Sequence, residues 1–305
     1  MNAIEAKNLS KSFGSVIAVD DVSITIPEGS IFGFLGPNGA GKTTTIRMLT
    51  GVLIPDAGSV RILGTDVIHD PLTAKLKMGV IPENGTVYSD LTAEQNIHLT
   101  AKFYGMDRAI RESRTEEILT RLGLTKRRHD LVRTFSKGMR QRVSIACAIV
   151  HSPQVLILDE PTTGLDVSSR RLVIDTVQHM SREGSTILLT THNIEEANEL
   201  CSMISVINKG RIVATGSPEK LKKAFDTSRY VEISFEQPVP FELFSAPGIT
   251  RTESWGDKWR VYADDLDQMV KYLASIAERE HLTIVSIATS SPTLEEAFVT
   301  LTAGG

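Results

Sequence analysis

Long apolar runs are missing from this sequence. No stretch reaches the roughly 20 residues that a bilayer-spanning helix needs, and the opening Met1-Asn2-Ala3-Ile4-Glu5 is not a basic segment leading into an apolar one. The expectation is a chain that does not cross a membrane unaided, so that any membrane role comes through a partner. Cysteine is scarce as well. Cys147 and Cys201 lie in apolar segments with no partner at metal-ligand spacing, which argues against a disulfide framework or a zinc site and for small reduced core residues of a cytosolic protein. An excess of one charge sign is also lacking. Thirty-three Lys and Arg against thirty-seven Asp and Glu leave a formal charge of −4, which offers no global attraction for nucleic-acid phosphates. The short basic runs Lys126-Arg127-Arg128 and Lys220 to Lys223 carry no interleaved aromatic rings and read as solvated helix ends or loops. There is no long internal repeat and no low-complexity segment.

What is present is an ordinary soluble composition, 41% apolar and 23% charged, over 305 residues, enough for one large domain and a smaller one. Val16 to Ile26 alternates and is rich in β-branched residues, Pro27-Glu28-Gly29 turns, and Ile31 to Leu35 forms a second apolar run, so two early strands are predicted. Gly36 to Gly41 breaks the run, and Thr43 to Leu49 has helical spacing that ends near Gly51. From about Thr92 to Ala148 the pattern is helical, with apolar residues three and four apart, as at Ile118, Leu119 and Leu122. Val155 to Leu158 and Ser185 to Leu189 are continuous apolar runs of the kind that parallel strands covered on both faces require, separated by helical stretches as βαβ units demand.

After Lys220 to Lys223 the pattern restarts as an alternating strand, Tyr230 to Phe235, placing a domain boundary near Asp226. A strand at Trp259 to Tyr262, a helix with a Leu266, Met269, Val270, Leu273 and Ile276 face, a strand at Leu282 to Ile287 and a last short helix opened by Ser291-Pro292 predict a small α+β domain.

The chemistry starts at Gly36-Pro37-Asn38-Gly39-Ala40-Gly41-Lys42-Thr43, a G-x-x-x-x-G-K-[ST] match set between a strand and a helix. Glycines let successive N–H groups turn inward around a phosphate, and the helix N-terminus adds positive potential. Lys42 supplies charge to the β and γ phosphates, and the Thr43 hydroxyl can hold magnesium. A purely structural glycine turn has no need of Lys and Thr in those slots. Val155-Leu156-Ile157-Leu158-Asp159-Glu160 is an apolar strand ending in two carboxylates, which the C-terminal edge of a parallel sheet sets beside the phosphate loop. Asp159 suits magnesium and Glu160 suits orienting or deprotonating an attacking water. Together these segments indicate a nucleoside triphosphatase and leave its class open.

Phe135-Ser136-Lys137-Gly138-Met139-Arg140-Gln141-Arg142, just before that strand, resembles the signature of ABC-type ATPases, whose usual form is Leu-Ser-Gly-Gly-Gln. Ser136 and Gly138 match it, and Phe135, Lys137 and Met139 depart in the manner of exporter ATPases with a C-terminal extension. Gly164-Leu165-Asp166 resembles the family's D-loop, and His192 after Ile187-Leu188-Leu189-Thr190-Thr191 resembles its switch histidine. Phe13 falls where the family stacks an aromatic ring on adenine, a strand-core phenylalanine being the plainer alternative. Val80-Ile81-Pro82-Glu83-Asn84 departs from the pattern, with Glu83 where the family has Gln: a carboxylate can offer oxygen to magnesium but cannot donate a hydrogen bond. Val87, Tyr88 and Leu91 fall where the family receives a membrane subunit's coupling helix, ordinary core packing being the plainer alternative. The resemblance covers roughly residues 4 to 225, and the ending from Ser291 to Phe298 resembles the small extension of drug, lipid or polysaccharide exporter ATPases.

The resemblance implies an α/β fold: a P-loop NTPase, RecA-like core sheet with an antiparallel β subdomain and an inserted helical subdomain at about 86–152, followed by a small α+β C-terminal domain. The domains are expected at 1–225 and 226–305. It further implies an ATP-hydrolysing, ATP-binding subunit that drives export through separate membrane permease subunits by closing and opening as a homodimer, with no nucleic-acid partner and a cytoplasmic, peripheral place on the inner face of the membrane. The alternative is a soluble ABC-type ATPase in translation or DNA work, yet no second cassette, coiled coil, zinc or basic insertion is visible. The Asn-Lys-x-Asp motif of GTPases is missing too. Expected catalytic residues are Glu160, His192 and Lys42. Nucleotide contacts are expected from Phe13, Gly36, Asn38, Gly39, Ala40, Gly41, Lys42, Thr43, Thr44, Glu83, Ser136, Gly138 and Asp166, and magnesium contacts from Thr43, Asp159 and Glu83.

Overall fold

Alternating and continuous apolar patterns build different sheets in this chain. The computed structural model describes residues 1–83, 85, 87–224, 230–244, 248–290, 294, 295, 298 and 301. Two compact units arise from it, one built on Met1–Pro218 and the other on Glu219–Thr300.

The first unit opens with β1 (Asn2–Phe13), β2 (Val16–Pro27) and β3 (Ile31–Leu35), then α1 (Lys42–Leu49), β4 (Ala57–Ile62), β5 (Thr65–Asp66), α2 (Pro71–Leu76) and β6 (Met78–Ile81). Three helices follow, α3 (Ala93–Phe103), α4 (Arg108–Arg121) and α5 (Lys137–Ile149). The unit continues with β7 (Val155–Asp159), α6 (Val167–Arg182), β8 (Thr186–Thr191), α7 (Ile194–Leu200), β9 (Met203–Asn208) and β10 (Arg211–Gly216). An antiparallel sheet runs in the order β2-β1-β4-β5. Its alternation turns Val22, Ile24 and Ile26 of β2 inward with Ile4 and Ala6 of β1. The second sheet runs β10-β9-β3-β8-β7-β6, with β6, β7, β8, β3 and β9 parallel and β10 antiparallel at its edge. Every residue of β7 and β8 is buried, as continuous apolar strands covered on both faces must be. One hydrophobic core joins the two sheets through α1, with Ile46, Met48 and Leu49 packed among Phe32, Phe34, Val60 and Ile62.

The helical stretch predicted from Thr92 to Ala148 is α3, α4 and α5, with a short turn between α3 and α4 and a longer segment between α4 and α5 that holds two 3-10 turns, Thr125–Arg127 and Val132–Thr134. Thr92 and Gln95 close a reciprocal cap on α3. The structure adds a whole strand ahead of the two early ones, because β1 contains Lys7, Asn8, Ser10 and Lys11, whose polar side chains hide a strand pattern. The run read as Ser185 to Leu189 begins one residue later and extends to Thr191, since Thr190 and Thr191 are β-branched and pair with β3, Thr190 also with β7. Cys147 and Cys201 are free thiols, and burial raises them to about 11 and about 12. Cys201 packs on Gly33 of β3, where an added Cβ would lie 2.9 Å from its Sγ.

After α8 (Pro218–Ala224), the second unit forms an antiparallel sheet from β11 (Tyr230–Phe235), β12 (Ile249–Trp255), β13 (Lys258–Ala263) and β14 (Ile284–Ser290), in the order β12-β13-β11-β14, with α9 (Leu266–Arg279) between β13 and β14. Val231, Ile233 and Val261 meet Met269 and Leu273 of α9 in a separate core. The last strand starts two residues later than the Leu282 reading, at Ile284. The boundary residue Asp226 and the Ser291-Pro292 helix start lie outside the described residues.

Candidate functional site

Three parallel strands bring the chemistry to one edge. Leu35 at the end of β3 pairs with Thr191 of β8, and Asp159 at the end of β7 pairs with Thr190. The segments that follow these strands (Gly36 onward, Glu160 onward and His192) therefore leave the sheet side by side at its C-terminal edge.

The phosphate loop is held by steric necessity. At Gly36 a Cβ would lie 2.5 Å from the Ile207 carbonyl oxygen, and at Gly41, with φ of 107°, 2.5 Å from the Ala18 carbonyl oxygen. Only glycine fits at both places. Gly41 stands at the N-terminus of α1 without a capping side chain, so that end keeps its N–H groups for a ligand. Lys42 is 7% exposed. Its Nζ donates to the carbonyl oxygens of Gly36 at 2.6 Å and Pro37 at 3.2 Å, which folds the side chain back over its own loop.

Lys42 also lies 3.7 Å from the Glu160 carboxylate. Glu160 sits just past β7 at φ of 52°, a left-handed backbone that a non-glycine residue holds only when its surroundings enforce it. Thr190 does so: the Glu160 N–H donates to its Oγ1 at 2.9 Å and its carbonyl at 3.2 Å. The Thr190 hydroxyl in turn donates to Asp159 Oδ1 at 2.6 Å. Glu160 Oε2 accepts from the Thr163 hydroxyl at 2.9 Å and meets His192 Nδ1 at 2.7 Å. A carboxylate only accepts, so that ring nitrogen carries the hydrogen. The imidazole is otherwise open, with its side chain 57% exposed.

Behind His192, Asn193 caps α7 through the Glu196 N–H, while the buried Glu196 carboxylate takes hydrogen bonds from Thr162 and Thr191 and an ion pair from Arg170 at 2.7 Å. That network ties the loop after Glu160 to the segment carrying His192. Thr163, Thr190 and Glu196 were not singled out from the sequence. The polar Thr190-Thr191 pair closing an otherwise apolar strand was the available signal.

A cavity of about 460 Å3 opens here, lined by Pro37, Asn38, Gly39, Gly41, Lys42, Thr43, Thr44, Glu83, Glu160, Thr163 and His192, and by Val16, Ile17 and Ala18 from the start of β2. Gly36 and Ala40 belong to the same loop, with Ala40 buried. Phe13 is 51% exposed at the end of β1 and is not among the lining residues. The exposed Val16 and Ile17 line the cavity's apolar wall. At 51% exposure Phe13 is not the strand-core residue of the plainer alternative.

For a divalent ion the donor set is hard oxygen. Asp159 is 2% exposed with Oδ1 engaged by Thr190, and Thr43 and Glu83 line the cavity. Among the described residues no three His, Cys, Asp or Glu side chains form a metal cage. Such a set fits magnesium, which takes few protein ligands and completes its shell with phosphate oxygens and water.

Ser136, Gly138 and Asp166 stand apart from the cavity lining. Ser136 caps α5, accepting from the Met139 N–H at 3.2 Å, and Asp166 caps α6, accepting from the Ser169 N–H at 2.8 Å. Hydrogen bonds from Ser168, then from the Ser169 amide and hydroxyl, hold the Asp166 carboxyl down at about 2. The two caps pack together, for a Cβ on Gly138 would sit 2.2 Å from Ser169 Oγ. The glycine loop, Glu160 and His192 thus share one cavity, whereas Ser136, Gly138 and Asp166 make a second surface on the same unit. Val87 and Leu91 are half-buried and Tyr88 is exposed.

Residues 19–163 match the family described as ABC transporter. The linearmycin resistance ATP-binding protein LnrL of Bacillus subtilis is 32% identical over 98% of this chain and 98% of its own length. The Nod factor export ATP-binding protein I of Paraburkholderia xenovorans is 37% identical over 92% of each. A solved structure of an ATP binding subunit of an ABC transporter superposes with a TM-score of 0.69 at 32% identity, covering 73% of this chain and 93% of that one.

Proposed function

This chain belongs to the ABC transporter family as one of its ATP-hydrolysing, ATP-binding subunits, and from that premise we propose that it powers an exporter through separate membrane permease subunits. Relatives named for resistance and for export support the direction of transport. No described helix is long and apolar enough to cross a membrane, consistent with a permease supplying that part. We assign residues 1–225 as the ATPase domain, with the helical subdomain at about 86–152, and 226–305 as the C-terminal extension.

The observation that carries the proposal is the convergence of Lys42, Glu160 and His192 on one cavity. In the proposed mechanism Lys42 leaves the Gly36 carbonyl to meet the β and γ phosphates, and the amides from Gly39 to Thr44 cradle them. Glu160, held by Thr163 and Thr190, aligns a water on the γ-phosphorus and takes its proton, while His192 contacts the γ-phosphate. Thr43 and Asp159, with Glu83, would hold magnesium, which neutralises charge on the phosphate oxygens when bound.

Ser136, Gly138 and Asp166 point to a second copy. They lie off the cavity that holds the phosphate loop, so the signature of one protomer closes over ATP on the loop of the other, and two sites form in a symmetric dimer. Loss of the γ-phosphate then removes the link between the surfaces, and reopening drives the permease.

The test is Glu160→Gln. It should lower turnover at least about 100-fold, the size expected for losing a general base, and leave ATP-bound dimers visible by gel filtration with magnesium. A variant that hydrolyses ATP at the wild-type rate overturns the assignment of Glu160.

A further inference from the structure

A second cavity, of about 360 Å3, adjoins the first, and Glu83 and Thr163 line both. Its opposite wall is one face of α5: Lys137, Arg140, Gln141 and Ser144 follow at three- and four-residue steps. Among the described residues Lys137 makes no ion pair or hydrogen bond, and Arg140 spends one Nη1 donor on the Phe135 carbonyl at 2.5 Å. Glu83 is likewise unpaired among the described residues. Two cations and one carboxylate therefore face a common space without neutralising each other. Lys137 is kept there by the neighbouring loop, since its Nζ lies 2.5 Å from where a Cβ on Gly164 would stand.

The unpaired donors ask for an anion, and the carboxylate asks for a ligand that also carries a hydrogen. Inorganic phosphate meets both demands at neutral pH, because it keeps at least one P–OH group to donate to Glu83 while its other oxygens accept from Lys137, Arg140 and Gln141. Sulfate, fully ionised, has no hydrogen to give and would face the Glu83 carboxylate at a cost.

The connection to the first cavity is short. Thr163, whose hydroxyl holds Glu160 Oε2 at 2.9 Å, stands in the shared wall. We propose that this second cavity is a product site, where the inorganic phosphate cut from ATP is held before it leaves the protomer. The proposal rests on the reading that ATP is hydrolysed in the first cavity. There, water adds to the γ-phosphorus, the bond to the β–γ bridging oxygen breaks and ADP keeps that oxygen. One water hydrogen stays on the phosphate, and the other passes through Glu160 to solvent. Phosphate then moves past Thr163 and Glu83 to the two cations, away from the ADP phosphates that repel it.

The experiment is equilibrium dialysis of radiolabelled inorganic phosphate against the full chain saturated with magnesium and ADP. The wild type should bind one phosphate per chain, and Lys137→Gln and Arg140→Gln should each weaken binding about tenfold, the scale of one lost charge-assisted hydrogen bond. Sulfate should compete poorly with the wild type and well with Glu83→Gln. Retained ADP binding in Lys137→Gln and Arg140→Gln reports an intact fold and an intact first cavity. A chain that hydrolyses ATP yet binds no phosphate beside ADP, or binds it equally after Lys137→Gln and Arg140→Gln, overturns the product site alone. A wild-type chain that neither binds ADP nor hydrolyses ATP overturns the reading of the first cavity as well.

Discussion

The Lys42 ammonium and the Glu160 carboxylate face each other at 3.7 Å, with both side chains less than a tenth exposed. Each partner of this pair also has another anchor, Gly36 and Pro37 carbonyls for Lys42, Thr163 and His192 for Glu160. In the mechanism we propose, a γ-phosphate entering the cavity takes Lys42 from its carbonyl oxygens and leaves Glu160 held for water.

Lys42→Ala should reduce ATP hydrolysis at least about 100-fold, because the charge on the transferring phosphoryl group loses its fixed cation. Steady-state ATPase assays check this, and retention of a tenth or more of wild-type activity would contradict it.

Gly41→Ala tests the steric argument for the loop. Its φ of 107° and the Ala18 carbonyl oxygen 2.5 Å from the new Cβ force a local shift. Urea unfolding should show a loss of about 2 kcal/mol or more, on the scale of enforced backbone strain. Gly39→Ala is the contrast: φ is 79° but no atom lies within 4 Å of its Cβ, so strain acts without a clash and the loss should be smaller.

The C-terminal edge of the sheet was readable in the sequence because its residues are chemically unusual for their places. A lysine after a glycine loop, two acids after an apolar run and a histidine after another have few structural reasons to be there. The threonines that hold them were not readable in this way. Thr190 looks like one more β-branched strand residue until its hydroxyl is seen between Asp159 and the Glu160 amide. β1 was missed because a strand with one solvent-facing side accepts Lys7, Asn8, Ser10 and Lys11, and the cavity-lining Val16 and Ile17 read only as strand residues. In the second unit the alternation of Tyr230 to Phe235 was plain, while β12 (Ile249–Trp255), with Arg251, Thr252, Glu253 and Ser254, has few apolar residues to announce it.

His151 gives a pH test of stability. It stacks on Tyr104 with centroids 3.5 Å apart, Nε2 reaches the Met78 carbonyl at 2.9 Å, and Nδ1 is buried without a partner among the described residues. Burial lowers it from 6.5 to about 4. The unfolded chain therefore binds the proton first as pH falls, so this contribution to stability is full above pH 6.5 and shrinks towards pH 4. Through this group the wild type should be about 2 kcal/mol less stable at pH 5 than at pH 7, by the linkage of proton binding to folding. Urea unfolding of His151→Gln at the two values should lack that part of the difference; an unchanged difference contradicts the assignment.

Asp166 titrates lower and with the opposite partners. Its carboxyl, held at about 2 by Ser168 and Ser169, is below the ordinary 3.8, so its cap on α6 is fully present above about pH 4 and is lost as pH falls through 2. Asp166→Ala should be less stable than the wild type at neutral pH, and the gap should narrow between pH 4 and pH 2. A gap that is constant over that range contradicts the hydrogen-bonded carboxylate.

Mixing two dead variants tests the shared-site claim most directly. Lys42→Ala spoils the phosphate loop and Ser136→Arg spoils the signature, so neither protein should hydrolyse ATP alone. In a mixed dimer one site combines both faults, and the other joins an intact loop to an intact signature. An equimolar mixture should therefore recover up to about a quarter of wild-type activity, since half of randomly formed dimers are mixed and each has one sound site of two. A mixture as inactive as its parents would show that each chain works with its own Ser136 or without one, and would contradict ATP closing the dimer.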